Sequence, residues 1–285
     1  MYVLVSPCIL NPELRARGIT RKEDLDWYFR AVERCRRFNI EIIPLPCPEF
    51  LFFGPDREPF SDTERFETPE FARLADDLEK GIRDIIANQG PPLCIIGVDS
   101  SPCCGIKTHY AGAAETRPER KEGRGVFLSR FLDIPAREVS DFSCYRIYLA
   151  APLFSSAEKE YNSRLARFLE DHLFDVFLPQ EAGDDIPHRD QEAHRRIYAR
   201  NLEELEEADM VVAVIDGADA DSGTAWEMGY ACCRGIPVIA IRTDFRMAGP
   251  DEHVNLMLEQ SAHLVRSTDE LLDALKDVRA RKSRR

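Results

Sequence analysis

One glutamate stands where a packed helix would normally carry an apolar side chain. Glu227 lies in the stretch DADSGTAWEMGYA, among tryptophan, methionine, tyrosine and alanine. Two further acids, Asp219 and Asp221, precede it, and the small residue Gly223 leaves room for a ligand. A positioned, ionised carboxylate of this kind is suited to attack an anomeric carbon, as in retaining glycosidases.

The residues before Glu227 are predicted to bring it to the edge of a sheet. The apolar run MVVAVID ends at Asp216 and is typical of a buried strand. Sites in open parallel sheets form where strands reach their carboxyl edge. Gly223 and Thr224 are expected to lead into a helix with Glu227 near its first turn, where the helix end favours an ionised carboxylate. An alternative is that Glu227 only caps this helix or pairs with Arg234, and spacing alone does not separate the two readings.

Cysteines follow each of the three predicted strands in the first half of the chain. Cys8 follows YVLVS, Cys47 follows IEIIPL, and Cys103 and Cys104 follow LCIIGV. If these strands are parallel neighbours, their thiols meet at one edge of the sheet. Three convergent thiolates are a ligand set for an iron–sulfur cluster. Because there is no C-x-x-C pair, the alternative that these loop cysteines are incidental stays open.

Length and charge restrict the classes of protein. The chain has 285 residues, enough for two domains, and a net charge of −13, which argues against nucleic acid as the partner. No apolar run is long enough to span a bilayer, and the N-terminus lacks the features of a signal peptide. We therefore expect a cytoplasmic protein that acts on small molecules, binds neither nucleic acid nor membrane, and keeps its nine cysteines reduced.

Strand and helix patterns alternate twice along the chain. This predicts an α/β protein with two three-layer parallel-sheet domains, residues 1–140 and 141–285, the second flavodoxin-like and doubly wound. The pair Thr20 and Glu23 predicts a capping box for the first long helix, and Thr68 followed by proline predicts the start of the second.

Three segments of the second half carry a family resemblance. They are IYLAAPLFSSAEKEYNSRLARFLE, NLEELEEADMVVAVIDGADADSGTAWEMGYACCRGIPVIAI with its D-x-G-T-x-x-E-x-G pattern, and VNLM. Together they make residues 145–279 similar to the nucleoside 2-deoxyribosyltransferase family. The resemblance implies that Glu227 is the nucleophile, that Asp221 holds a sugar hydroxyl, that Gly223 belongs to the substrate-binding residues, and that this domain needs no cofactor.

Further roles follow from the same resemblance. Asn255 would reach the sugar bound to a neighbouring subunit, which implies a homo-oligomer. Asp190 is the candidate for the acid that protonates the departing base, with neighbouring Asp184 and Asp185 as alternatives. Tyr148 and Phe154 would line the base pocket, although Phe154 is equally well read as an ordinary core aromatic.

Asp221 also bears on the substrate, because a carboxylate near the 5′ position would repel a phosphate. The sequence therefore favours a nucleoside without a 5′-phosphate. The cations Arg189, Arg195 and Arg196 leave a 5′-monophosphate open as the alternative.

The first half resembles a different family. The segments VLVSPCIL, PLPCPEF and VDSSPCCGIKT are similar to the thiouracil desulfidase family over residues 1–130. This implies a 4Fe–4S cluster held by Cys8, Cys47 and Cys104, with a fourth iron open to the sulfur of the substrate. The family's usual second cysteine shortly after Cys8 is absent. Glu49 and Ser101 are candidates for proton handling and substrate contact, with a surface acid and a turn-forming serine as the alternatives.

The two resemblances together predict an enzyme for nucleosides whose bases carry sulfur. The second domain would cleave the N-glycosidic bond or exchange the base, and the first would remove sulfur from a thiolated base. Salvage of thionucleosides is inferred from the fusion of the two domains. One alternative is a deoxyribosyltransferase or N-glycosidase with an inactive first domain, and another is a nucleoside-binding redox sensor.

Overall fold

The chain divides into two compact units, Met1–Ser143 and Cys144–Arg285. The computed structural model describes residues 1–59, 63–111, 119–182, 190–247, 249 and 254–282, with side chains up to residue 276. Asp184, Asp185 and Arg189 lie outside these residues.

A parallel four-stranded sheet forms the centre of the first unit, with strand order β2-β1-β3-β6, and an antiparallel hairpin, β4-β5, accompanies it. The strands are β1 Tyr2–Val5, β2 Glu41–Pro44, β3 Ile95–Gly97, β4 Thr108–Ala111, β5 Glu119–Glu122 and β6 Ala136–Glu138. The helices are α1 Pro7–Leu10, α2 Lys22–Arg37, α3 Pro48–Phe53, α4 Pro69–Gln89 and α5 Val139–Phe142. The strand order reverses at β1, so the carboxyl ends of β1 and β3 flank a topological switch point, where ligands bind in folds of this kind.

The second unit contains a five-stranded parallel sheet of order β11-β10-β9-β7-β8. Its strands are β7 Arg146–Ala150, β8 Asp175–Phe177, β9 Met210–Val214, β10 Val238–Ile241 and β11 His263–Val265. Its helices are α6 Ser156–Asp171, α7 Pro179–Ala182, α8 Gln191–Glu207, α9 Ser222–Cys233, α10 Leu256–Ser261 and α11 Thr268–Lys282. Counted within the unit, this is the flavodoxin-like order 2-1-3-4-5, and the predicted fold class is confirmed.

Both faces of the second sheet are covered, which gives the unit three layers. Ile147 and Leu149 of β7 belong to one hydrophobic core, with α6 and α11 residues. Tyr148 and Ala150 belong to the other, with residues of α8 and α9. The alternation follows from the two-residue period of a strand, and it directs Tyr148 towards α9.

Two helix starts illustrate the local predictions. Thr68 caps α4 by accepting from Phe71 N at 3.2 Å, as predicted. The predicted capping box of Thr20 and Glu23 is wrong, since α2 begins at Lys22. Asp24 instead accepts from Arg21 N at 3.1 Å, one residue later than the pattern indicated.

The sequence patterns did not predict the hairpin or β6. The residues of β5, ERKE, are all exposed, and β6 has three residues with mixed exposure. Short strands of this composition lack the apolar alternation on which strand prediction depends. Among the helices within the described ranges, none has both the length and the apolar character needed to cross a membrane.

Candidate functional site

The loop after β9 is fixed by its first acid. Asp216 accepts hydrogen bonds from Thr243 N at 2.5 Å, from Thr243 Oγ1 at 2.8 Å and from Asp244 N at 3.0 Å. These bonds join the carboxyl end of β9 to the loop that follows β10. Asp216 therefore fixes the two loops at the carboxyl edge of the sheet, where the other acids also lie.

Asp221 is the N-cap of α9. Its Oδ2 accepts from Gly223 N at 2.9 Å and from Thr224 N at 3.1 Å, which satisfies two free amides of the helix start. Since the helix begins at Ser222, Glu227 is its sixth residue and lies in the second turn, one turn later than expected. The helix dipole acts mainly within the first turn and does little for this carboxylate.

Tyr148 makes the defining contact of Glu227. The Tyr148 hydroxyl donates to Glu227 Oε1 at 2.5 Å, from a strand residue that has no exposed surface. Burial raises the pKa of Glu227 to about 7; the Tyr148 hydrogen bond lowers this pKa and the charge of Asp221 raises it. Burial, and then Glu227, raise the pKa of Tyr148 far above its ordinary value, so Tyr148 stays a proton donor. Arg234 lies 3.4 Å from Glu206, so this ion pair takes the place of the alternative pairing with Glu227.

Glu227→Gln is expected to stabilise the protein above pH 7 and to leave it unchanged below about pH 4.5. The folded pKa of about 7 exceeds the ordinary value of 4.5, so folding favours the protonated form. In the unaltered protein, the contribution of Glu227 to the free energy of unfolding is fully present below pH 4.5. It is lost as the pH rises through 7, which lowers the free energy of unfolding by up to roughly 3 kcal/mol. Thermal unfolding of both proteins at pH 4.5 and pH 8 measures this. Equal unfolding temperatures at pH 8 would contradict the raised pKa.

Tyr148→Phe is expected to move the pH dependence of turnover upward. The hydrogen bond from Tyr148 favours the ionised form of Glu227, so its removal raises the pKa of Glu227. The pH at half-maximal rate measures this shift. Tyr161→Phe is the matched control, because the buried Tyr161 hydroxyl has no hydrogen-bond partner among the described residues. An unshifted profile for Tyr148→Phe would show that the hydroxyl does not tune this carboxyl group.

The two predicted aromatic pocket residues have different environments. Tyr148 stacks on Phe177, with ring centroids 5.5 Å apart. The guanidinium of Arg200 lies over the Phe177 ring, 5.8 Å from its centroid. Phe154 is 78% exposed, so the alternative that it is a core aromatic is wrong. Phe154 remains available to contact a ligand, whereas Tyr148 acts on the carboxyl group of Glu227.

Asp190 and Asn255 each begin a helix. Asp190 caps α8 by accepting from Ala193 N at 2.7 Å, and Asn255 caps α10 by accepting from Met257 N at 3.0 Å. Helix α10 packs against α9, the helix that carries Glu227. Their predicted roles in proton transfer and in sugar binding stay predictions.

The thiols of the first unit lie at the carboxyl edge of its sheet. Cys8 is in α1 directly after β1, Cys47 is the N-cap of α3, and Cys104 is in the loop after β3. All three are half-buried. Burial raises the pKa of Cys8 to about 12, and the neighbouring Cys104 and Cys47 contribute to this rise. Three separate segments thus bring their thiols within electrostatic reach of one another.

The loop that carries Cys104 is tightly folded. A Cβ at Gly105 would come within 2.3 Å of Thr108 O, so only glycine fits this position. Asp99 Oδ1 accepts from Ile106 N at 3.2 Å and from Lys107 N at 2.7 Å, which closes the loop. Sequence patterns gave no indication of this role of Asp99, because its partners are backbone amides.

Thiolates such as those of Cys8, Cys47 and Cys104 are the ligands that hold iron–sulfur clusters in proteins. Within the ranges that the structure describes, no group of three or more histidine, cysteine or acidic side chains is arranged around one metal ion. In a cluster each cysteine binds a different iron, so its ligands stand further apart than the ligands of one ion. Cys8, Cys47 and Cys104 lie on three segments of one edge, and their role as ligands of a cluster stays a prediction.

Glu49 and Ser101 contact each other beside these thiols. Ser101 Oγ donates to Glu49 Oε1 at 3.1 Å and accepts from Cys104 N at 3.0 Å. The Glu49 side chain is 15% exposed and lies 3.6 Å from Arg57, so the alternative of a surface acid is wrong. Arg15 donates to Tyr28 Oη at 3.0 Å, and its charge lowers the pKa of Cys8 against the larger effect of burial.

Comparison with known proteins finds a family match within the second unit. Residues 147–266 match the family model described as nucleoside 2-deoxyribosyltransferase. The uncharacterised protein MJ0003 of Methanocaldococcus jannaschii is 27% identical over 56% of this chain and 88% of its own length. A putative 2′-deoxynucleoside 5′-phosphate N-hydrolase 1 of Thermofilum pendens is 27% identical over 44% of this chain and 86% of its own. The solved 2-deoxyribosyltransferase of Bacillus psychrosaccharolyticus is 26% identical over 46% of this chain and 95% of that one, with a TM-score of 0.41.

Proposed function

We propose that the second unit, which matches the nucleoside 2-deoxyribosyltransferase family model over residues 147–266, cleaves or exchanges the N-glycosidic bond of a nucleoside with Glu227 as its nucleophile. The observation that carries this proposal is the 2.5 Å hydrogen bond from Tyr148 to Glu227. It holds the carboxyl group in one orientation at the edge of the sheet where sites form.

The proposed reaction has two displacements at the same carbon. Glu227 Oε2 attacks C1′ as the bond from C1′ to the base nitrogen breaks, and the base leaves with the bonding electrons. The base takes a proton from an acid, for which Asp190 is the candidate. The nitrogen of a second base, or water, then attacks C1′ and releases Glu227 as a carboxylate. The Tyr148 hydroxyl orients Glu227 and lowers the pKa of its free carboxyl group before the attack and after the release.

We propose a free 5′-hydroxyl on the substrate. Asp221 uses Oδ2 to cap α9, which leaves Oδ1 as the oxygen for a sugar hydroxyl. A 5′-phosphate is the alternative, and the name of the Thermofilum pendens relative favours it. Turnover of a deoxynucleoside and of its 5′-monophosphate by the same preparation separates the two. Asp221→Asn should increase the turnover of the monophosphate relative to that of the nucleoside, because the substitution removes the charge that repels the phosphate.

Asn255 supports the proposal of a homo-oligomer. Its amide oxygen is used to cap α10, so its amide nitrogen is the group for a sugar on a neighbouring subunit. Sedimentation at the concentration of the activity assay tests this. A protein that is active as a monomer would contradict a role for Asn255 across an interface.

For the first unit we propose removal of sulfur from a thiolated base. Cys8, Cys47 and Cys104 would hold a 4Fe–4S cluster, which when bound supplies an iron that takes sulfur. The net reaction replaces the sulfur on carbon with the oxygen of water and releases hydrogen sulfide, without net oxidation or reduction. Ser101 and Glu49, joined at 3.1 Å, would take the proton of the attacking water.

Anaerobic incubation with thiolated and ordinary nucleosides tests both units at once. Sulfide, free base and released or transferred sugar are measured separately. Sulfide from the thiolated compound alone, together with base release from both, is the expected result. Base release without sulfide would leave an N-glycosidase or deoxyribosyltransferase with an inactive first unit. Nucleoside binding without either product would favour the redox sensor.

A further inference from the structure

Glu49 lies between two partners from different segments of the first unit. Ser101 Oγ donates to Oε1 at 3.1 Å, and Arg57 Nε is 3.6 Å from Oε2. Arg57 is only 8% exposed. A charged side chain is rarely buried to this extent unless it is paired, because its desolvation is costly.

The guanidinium of Arg57 is held by the backbone rather than by Glu49. Nη1 donates to Gly54 O at 3.3 Å and Nη2 donates to Leu14 O at 2.5 Å. Nε, the atom nearest to Glu49, has no hydrogen-bond partner among the described atoms. The two anchors therefore fix the guanidinium with its remaining donor next to the Glu49 carboxylate.

Arg57 is also connected to the segments of the thiols. Its partner Glu49 is two residues after Cys47. Ser101, which donates to Glu49, accepts from Cys104 N at 3.0 Å. Arg57 is therefore joined through Glu49 and Ser101 to the segments that carry two of the three thiols.

We propose that Arg57 is a positioning residue of the thiol site, which orients Glu49 towards Ser101 and offsets the negative charge of a bound cluster. This inference rests on the proposed function of the first unit. Three thiolates bring negative charge to a half-buried edge, and a fixed buried cation lowers its electrostatic cost. Reduction adds one further negative charge, so the same cation favours the reduced state.

Reduction potentials of the reconstituted cluster test the proposal on the full chain. Arg57→Gln should shift the potential to more negative values, because a positive charge is lost. Arg57→Lys should stay near the unaltered protein, since the charge is kept although the fork of donors is not. Glu49→Gln should shift the potential to more positive values, because Arg57 is then left without its acid. A merely structural role of the pair would not give shifts of opposite sign.

Arg17→Gln is the control, because Arg17 is an exposed arginine that pairs with Asp56 at the surface. Its potential should not move. If Arg57→Gln does not fold, the potentials of Glu49→Gln and Arg57→Lys test the proposal in its place. A cluster whose potential is the same in Glu49→Gln and Arg57→Gln as in the unaltered protein would overturn the role of Arg57 alone. Failure of the unaltered protein to bind a cluster after anaerobic reconstitution would overturn the role of Arg57 together with the proposed function of the first unit.

Discussion

Glu227→Gln is expected to lower N-glycosidic cleavage and base exchange by about 10⁴-fold or more, since the loss of a covalent nucleophile removes most of the rate enhancement. The amide has nearly the shape of the carboxyl group and still accepts from the Tyr148 hydroxyl, which donates at 2.5 Å in the unaltered protein. The substitution therefore removes the nucleophilic oxygen with little change in packing. Single-turnover rates of base release measure the effect.

Glu203→Gln is the matched control for this experiment. Glu203 is an exposed acid on α8, and its substitution by glutamine changes the net charge by the same amount. We expect its rate to equal that of the unaltered protein. If Glu227→Gln retained more than about a tenth of the rate, Glu227 would not be the nucleophile.

Cys104→Ser is expected to prevent stable cluster binding, whereas Cys103→Ser should retain it. The two residues are adjacent in the same loop, so comparing the two variants distinguishes a cysteine that binds the cluster from one that only lies beside it. Cys103 is fully buried and belongs to the hydrophobic core, while Cys104 is half-buried and lies within electrostatic reach of Cys8 and Cys47. A lost thiolate leaves one iron of the cluster without its protein ligand.

Iron and sulfide per chain after anaerobic reconstitution provide the measurement. We expect about four of each in Cys103→Ser and in the unaltered protein, and close to none in Cys104→Ser. Serine is close to cysteine in size, so the fold of the loop should persist in both variants. The opposite pattern, with loss in Cys103→Ser alone, would exchange the roles of the two cysteines.

Much of the second unit follows from local patterns. The run MVVAVID predicted β9 because an uninterrupted apolar segment is stable only inside a sheet that is covered on both faces. Helix α6 begins at Ser156 because Ser155 and Glu158 form a capping box at its start, which is a pattern of four consecutive residues. The position of Glu227 was expected one turn too early, because the sequence did not identify Asp221 as the N-cap.

The chemistry of the candidate sites depended more on distant contacts. Tyr148 and Glu227 are 79 residues apart, and the hydrogen bond between them arises because β7 and β9 are neighbours in the sheet and α9 packs over that face. No sequence pattern indicated a role for Arg57, because its partners are two backbone carbonyls and one acid on separate segments. Such partners are fixed by the path of the chain and have no characteristic spacing.

The sequence by itself determined the residue types that can react and the strands after which they come. Apolar runs and caps are local, so the strand ends that carry Asp216, Cys8 and Cys47 were predictable from short segments. Only the tertiary structure decided which of these side chains meet and how their charge is tuned. The pKa of Glu227 rises to about 7 because burial removes water from its carboxyl group, and burial is a property of the packed layers.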